Sequence, residues 1–304
     1  MNTFATTKIT TKDNMFLENA RNGNNAGWVY FLTILLCFLA ATLSAFLIAE
    51  YTYIDPLERN KTLVSLLLPF CFILAELIFC VRYLHRRPIL SLFTAFKKLR
   101  LQRIFFSFFV WFCLMGIAEL VASFVFKLEY QFKFDFSAFL ILVSISFSLL
   151  LIQSLTEELF FRGYVMQGLY LLFSNKYLPV IVSAVFFAFM HGGNPENEQF
   201  GYGLMFGYYF ISAVFLGFIT VVDQGLEQAI GIHAATNIYG AVIVGYQGAI
   251  LQTDCLWMTK DPDGKIMVLL SLFIMAAYFF ISRYYLKFLP IKYLFSKNKI
   301  NVLE

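Results

Sequence analysis

One short run in the chain sets charge against apolar surroundings: Thr156-Glu157-Glu158-Leu159-Phe160-Phe161-Arg162. Its three ionisable groups stand between two mostly apolar stretches. Each would cost about 2.5–3.5 kcal/mol at the centre of a lone spanning helix, so such groups persist where they pair or line a wet cavity. Glu158 and Arg162 are at i and i+4 with the acid first, the favourable order for a helical ion pair. That pairing leaves Glu157 without a local partner. A carboxylate in a partly desolvated cavity, beside an orienting group, has the makings of a general base. The plainer alternative is an acidic pair marking the end of a span at the interface, and this run alone does not decide between them.

The histidines shift the balance. The chain has three. His85 lies among Arg86 and Arg87 in a basic loop and reads as a headgroup-facing residue. His191 and His233 lie in apolar stretches expected to be helical. A single buried histidine is more often a satisfied core residue than a catalyst, but two of three beside an acidic pair are harder to assign to packing. His233 and Asn237 are at i and i+4 on one helix face, and both can donate hydrogen bonds to one point. A base, a second histidine as proton shuttle and two fixed donors describe a site that adds water to a carbonyl. Two histidines and a carboxylate (Glu157, His191 and His233) are also a possible zinc set with an open fourth position. No H-E-x-x-H arrangement accompanies them.

These residues need a membrane scaffold to meet. The composition is 60% hydrophobic and 14% charged, far below the roughly 25% charge of soluble domains. Eight apolar stretches of about spanning length run at 27–49, 62–83, 105–126, 136–156, 178–193, 202–222, 227–249 and 266–288. The fourth is expected to continue to about Phe173 as one long or kinked helix. The fold class is therefore all-α, a polytopic membrane bundle of about eight helices. The apolar runs do not alternate as barrel strands do. Glu158 lies 17 residues before Asn175 and His191 lies 14 after Tyr177. An antiparallel hairpin turning at Ser174-Asn175-Lys176, with Pro179 in the next first turn, brings both to similar depth, roughly 20–25 Å from the turn.

The basic residues are loop-bound: Arg82, Arg86, Arg87, Lys97, Lys98, Arg100 and Arg103 follow the second span, and Arg283, Lys287, Lys292, Lys297 and Lys299 end the chain. This pattern fits phospholipid headgroups, not nucleic acid, and puts both termini in the cytoplasm. The first 26 residues carry no signal-peptide core. The five cysteines form no CxxC pair and read as small buried hydrophobes. Glu76 and Glu119, inside the second and third spans, read as paired with an arginine or hydroxyl, or alternatively as cavity-lining.

In order and spacing, Glu157-Glu158-x-x-x-Arg162, Phe187-x-x-x-His191 and His233-x-x-x-Asn237 resemble the CPBP intramembrane proteases. That family comprises CAAX proteases and bacteriocin-processing enzymes, with Rce-type and Abi-type members. The resemblance covers about residues 135–250 and divides the chain into a polar tail with three spans (1–134), a catalytic core (135–250) and a last span with a basic tail (251–304). It implies an endopeptidase in which Glu157 activates water with help from His191, His233 and Asn237 stabilise the oxyanion, and Glu158 and Arg162 shape the site. It further implies a metal-free site, with zinc as the variant. The partners expected are the bilayer and a membrane-anchored peptide or protein substrate, in a bacterial inner membrane. The competing readings are an immunity or binding protein of the same fold and a transporter using carboxylates as proton relays. The latter predicts inverted repeats, which are not evident.

Overall fold

The computed structural model describes residues 16–51, 59–173 and 175–295. The first fifteen residues, Ser174 of the hairpin turn, and Lys297 and Lys299 of the basic tail lie outside the described residues. Helices form at all eight expected apolar stretches: α1 (Gly27–Tyr51), α2 (Arg59–Leu84), α3 (Leu101–Phe124), α4 (Phe136–Phe173), α5 (Tyr177–Met190), α6 (Tyr202–Asp223), α7 (Glu227–Val242) and α8 (Gly264–Leu286). The protein is a polytopic helical membrane bundle. Six of the eight are long and apolar enough to cross a bilayer. The exceptions are α5, of 14 residues, and α7, of 16, where a crossing takes about 20. The reason is enclosure: α7 is buried along nearly its whole length, so its ends are satisfied by protein and need not reach the headgroups.

The fourth span does run on as one helix of 38 residues. Asp135 starts it by accepting a hydrogen bond from the Ala138 amide at 2.8 Å, a normal N-cap. Two wider π-type turns interrupt it, at Ser146–Leu150 and Leu159–Val165. Such turns insert a residue without breaking the helix, and they gather at functional sites. The second begins directly after Glu158 and contains Arg162.

The helices are pinned at both ends. At one end, Arg100 bridges the end of α6 to the start of α7, pairing with Asp223 at 3.1 Å and Glu227 at 2.7 Å. Arg103 pairs with Asp223 and donates to the Leu286 carbonyl at the end of α8. A short buried helix, Phe16–Arg21, docks here too: its Asn19 donates to the Ser91 and Thr94 carbonyls, each at 3.0 Å. Both basic clusters therefore meet on one face of the bundle. Of the seven basic residues after the second span, Arg82, Arg86, Lys97 and Lys98 are exposed. Arg87 is buried with Gln167 and Ser91.

His85 corrects its expected headgroup role. It is fully buried. Its Nδ1 faces the Asn24 carbonyl at 2.8 Å and its Nε2 the Tyr164 hydroxyl at 2.8 Å. A carbonyl only accepts, so Nδ1 carries the proton and Tyr164 donates to Nε2. The opposite end carries a small sheet of β1 (Tyr130–Phe132), β2 (Val244–Tyr246) and β3 (Trp257–Thr259), ordered β1-β3-β2. β1 runs antiparallel to β3, with Tyr130 opposite Thr259, and β2 runs parallel to β3. Cys37, Cys80 and Cys255 are buried as expected, whereas Cys113 is exposed.

Two predictions follow from this packing. α3 and α7 touch backbone to backbone at Gly231, where a Cβ would stand 2.4 Å from the Ile104 carbonyl oxygen and 2.9 Å from the Ser107 Cβ. Small residues let membrane helices approach this closely. Gly231→Ala is expected to destabilise the protein by about 1–3 kcal/mol, the usual range for overpacking, read as a lower unfolding midpoint in detergent. Burial holds the His85 pKa below its ordinary value, outweighing the Asn24 carbonyl that raises it. A depressed folded pKa makes the stability His85 contributes fade as pH falls below about 6.5. The unfolding midpoint should therefore drop between pH 7.5 and pH 5, and His85→Gln should shrink that drop.

Candidate active site

The site is built on α4, with α5 and α7 laid against it. Glu157 and Glu158 are consecutive, so on a helix their side chains leave about 100° apart. Both point inward because α4 is packed on two sides here, and both are buried. Glu158 Oε1 accepts from Arg162 Nη1 at 2.8 Å, the expected i,i+4 pair. The same oxygen accepts from His233 Nδ1 at 2.7 Å. Since that nitrogen must carry a proton to donate, Glu158 fixes which nitrogen of His233 is left over. Nε2 faces Glu157 Oε2 at 3.6 Å. The imidazole thus stands between the two carboxylates, one on each nitrogen.

Glu157 is not without a local partner, as its sequence context implied. Gln153, one turn earlier, donates to Glu157 Oε1 at 2.6 Å. The Gln153 carbonyl oxygen accepts from Asn237 Nδ2 at 2.7 Å, and that amide also reaches Ser154 Oγ at 3.3 Å. His233 and Asn237 do share a face of α7, but they do not aim at one point. Asn237 is committed to Gln153, and through it to Glu157. The remaining oxygen, Glu157 Oε2, is buried with no hydrogen-bond partner. Gln153 was missed by motif reading. Its signal was a Gln-Ser pair inside an apolar run, one turn ahead of a glutamate.

His191 closes α5 instead of lying within it, because the helix ends at Met190. Its Nδ1 donates to the Phe187 carbonyl at 2.8 Å, which leaves Nε2 free. The ring lies between Phe187 and Tyr209, at centroid distances of 4.2 and 4.5 Å. Phe187 does more than pack: Arg162 lies over its ring at 4.5 Å, and His233 meets it edge-on at 6.4 Å. His191 and Glu157 line the same cavity, though no hydrogen bond joins them. The hairpin geometry expected of α4 and α5 is thus realised, with Asn175 Oδ1 accepting from the Leu178 amide at 2.9 Å to start α5.

The cavity, of about 770 Å³, is mostly apolar and is bounded by helices from α1 to α8. Its walls hold Gln153, Glu157, His191, His233 and Asn237. Glu119 also lines it, while accepting a 2.5 Å hydrogen bond from the Tyr130 hydroxyl; both readings offered for Glu119 hold. Glu76 accepts instead from the Cys80 thiol at 3.2 Å. Zinc would need Glu157, His191 and His233 to converge on one point. Among the described residues, no three His, Cys, Asp or Glu side chains gather closely enough to hold a metal ion. As placed here, Glu157, His191 and His233 do not converge on one metal position.

The family model described as type II CAAX prenyl endopeptidase Rce1-like matches residues 105–239. Over this segment the chain is similar to the Rce1-like family. The family is one of peptidases. The Rce1-like segment takes in α3, ahead of the 135–250 stretch that carries the motifs, and ends two residues past Asn237. Its inclusion of α3 has a structural reason, since α3 packs along α7 at Gly231. The uncharacterized protein YyaK of Bacillus subtilis strain 168 is 26% identical over 253 residues, covering 75% of this chain and 81% of its own. No solved structure gives a significant match.

The Glu158 cluster generates a stability prediction. Arg162 is almost wholly buried. Arg162→Met would strand a buried carboxylate, for which breaking a buried pair costs about 3–5 kcal/mol. Adding Glu158→Gln should recover part of that loss, as read by the unfolding midpoints of the single and double variants.

Proposed function

We propose that this protein is an intramembrane endopeptidase that hydrolyses a peptide bond near the end of a membrane-associated or lipidated peptide, with water activated by Glu157. The observation that carries the reading is Glu157 itself. One oxygen is held by Gln153, and the other is buried, unpartnered and turned to His233 Nε2 at 3.6 Å. A carboxylate held this way has one oxygen fixed and one available to take a proton.

Water bound at Glu157 Oε2 gives its proton to that oxygen as its own oxygen attacks the scissile carbonyl. The carbonyl becomes an oxyanion, and in its protonated form His233 turns Nε2–H to it while Nδ1–H stays on Glu158. The charges then balance, with Glu158 and the oxyanion against Arg162 and the protonated His233, which suits a low-dielectric site. Collapse of the tetrahedral species breaks the C–N bond. The proton held by Glu157 passes to the leaving amine, and His191 Nε2 stands on the same cavity wall as a second proton carrier. Asn237 acts through Gln153, fixing where Glu157 points. Glu158 and Arg162 orient His233. No step is routed through a metal.

The setting is a bacterial inner membrane, with the basic face of the bundle in the cytoplasm; the exposed Arg82, Arg86, Lys97 and Lys98 support this orientation. The test is cleavage of membrane-anchored reporter peptides, prenylated and unprenylated, in detergent. Glu157→Gln is expected to lower kcat by at least about a hundredfold, as loss of a general base does, with an unchanged unfolding midpoint. A zinc chelator should leave wild-type cleavage intact. Equal cleavage by Glu157→Gln and wild type would overturn the assignment.

A further inference from the structure

The cavity holds a second buried carboxylate that the hydrolytic scheme does not use. Glu196 follows His191 by five residues, across a turn that Asn197 ties back to the His191 carbonyl at 2.8 Å. It lines the same cavity as Glu157 yet is only 4% exposed. Its Oε1 accepts from the Ile250 amide at 2.7 Å. Its Oε2 is buried with no hydrogen-bond partner. A buried carboxylate oxygen left unpaired is costly unless something supplies the missing partner.

Its surroundings are selective. Tyr208, Tyr209 and Tyr246 line the cavity within electrostatic reach of Glu196. Burial, and secondly Glu196, raise the Tyr246 phenol above its ordinary range, so it stays a neutral hydroxyl. Tyr208 and Tyr209 meet at 5.4 Å, and Tyr246 packs on Phe200 at 5.6 Å. Aromatic faces beside a carboxylate attract cations. The charge inventory of the whole cavity agrees. Its described walls carry three glutamates, Glu119, Glu157 and Glu196, and neither a lysine nor an arginine. A free carboxylate end would find no cation there to hold it.

The geometry points to Glu196, with Tyr208, Tyr209 and Tyr246, as a subsite for a cationic group of the substrate, either a lysine or arginine side chain or a free amino terminus. This rests on the peptidase reading and adds a specificity to it. The substrate would place a positive charge beyond His191 while its scissile carbonyl lies at Glu157. A peptide presenting only a free carboxyl terminus to this end would be a poor substrate.

The test uses the full-length protein in detergent with quenched reporter peptides that differ at one position. A positional scan places lysine, norleucine or glutamate at each site around the cleaved bond, and a parallel set has a free or acetylated amino terminus. The lysine and amine arms separate the two sources of charge. Wild type is expected to prefer the cationic peptide over its neutral counterpart by about tenfold or more in kcat/KM, the scale of one desolvated cation contact. Glu196→Gln, which can keep the Ile250 hydrogen bond, should bring that ratio close to one. Glu196→Lys should reverse it in favour of glutamate. Glu198→Gln, on an exposed neighbour, should leave the ratio as in wild type, and unfolding midpoints identify any misfolded variant. The same ratio in wild type and Glu196→Gln, or no preference in wild type, would overturn the subsite. Should wild type cleave none of the peptides, the peptidase reading fails, and binding of the same labelled peptides decides the subsite. Cation-selective binding lost in Glu196→Gln would sustain it; unselective binding, or no binding, would overturn it.

Discussion

The structure depends on one oxygen atom. Glu158 Oε1 accepts from both Arg162 and His233, and this shared acceptor links α4 to α7 in the middle of the bundle. In a lipid-surrounded core neither charge can be satisfied by water, so each must have its partner in place before the helices can pack. The π-type turn that begins at Leu159 belongs to the same arrangement. It inserts a residue within the i,i+4 pair, and both Glu157 and Glu158 remain buried and usable on opposite sides of one imidazole.

From that oxygen the rest is ordered outward. Fixing Nδ1 of His233 decides which nitrogen meets Glu157. Gln153 and Asn237 fix the other side of Glu157, so its unpaired oxygen has a defined direction. Phe187 connects this cluster to His191 by lying against Arg162, His233 and His191 at once. The ionic clamp of Arg100 and Arg103 on Asp223 and Glu227 holds the start of α7 far from the cavity. A reaction site within a membrane needs polar groups that do not relax, and here each is held by a second buried group.

Much of this was legible in the sequence because membrane insertion penalises charge so heavily. Glu157, Glu158 and Arg162 stood out against apolar flanks, and helix periodicity alone paired Glu158 with Arg162 and put His233 and Asn237 on one face. The eight helices were legible from apolar length. Spanning length was misjudged for α5 and α7, whose short helices are enclosed by neighbours that hydropathy does not see. His85 differs for a related reason: its basic neighbours suggest a wet loop, whereas Asn24, Tyr30 and Tyr164 enclose it. The direction of Asn237 toward Gln153 was invisible, since it depends on how α7 sits against α4. Glu196 belongs to no motif, and its entry into the cavity depends on the turn after His191.

The central claim is that water, held by Glu157, attacks the peptide bond directly. The most direct measurement is a single-turnover cleavage with enzyme in excess, in water enriched in oxygen-18, followed by mass analysis of the new carboxylate and of Glu157. Direct attack predicts one labelled oxygen in the product carboxylate and none in Glu157. Unlabelled product with label in the Glu157 carboxylate would mean that Glu157 had formed an acyl intermediate, and would contradict the account.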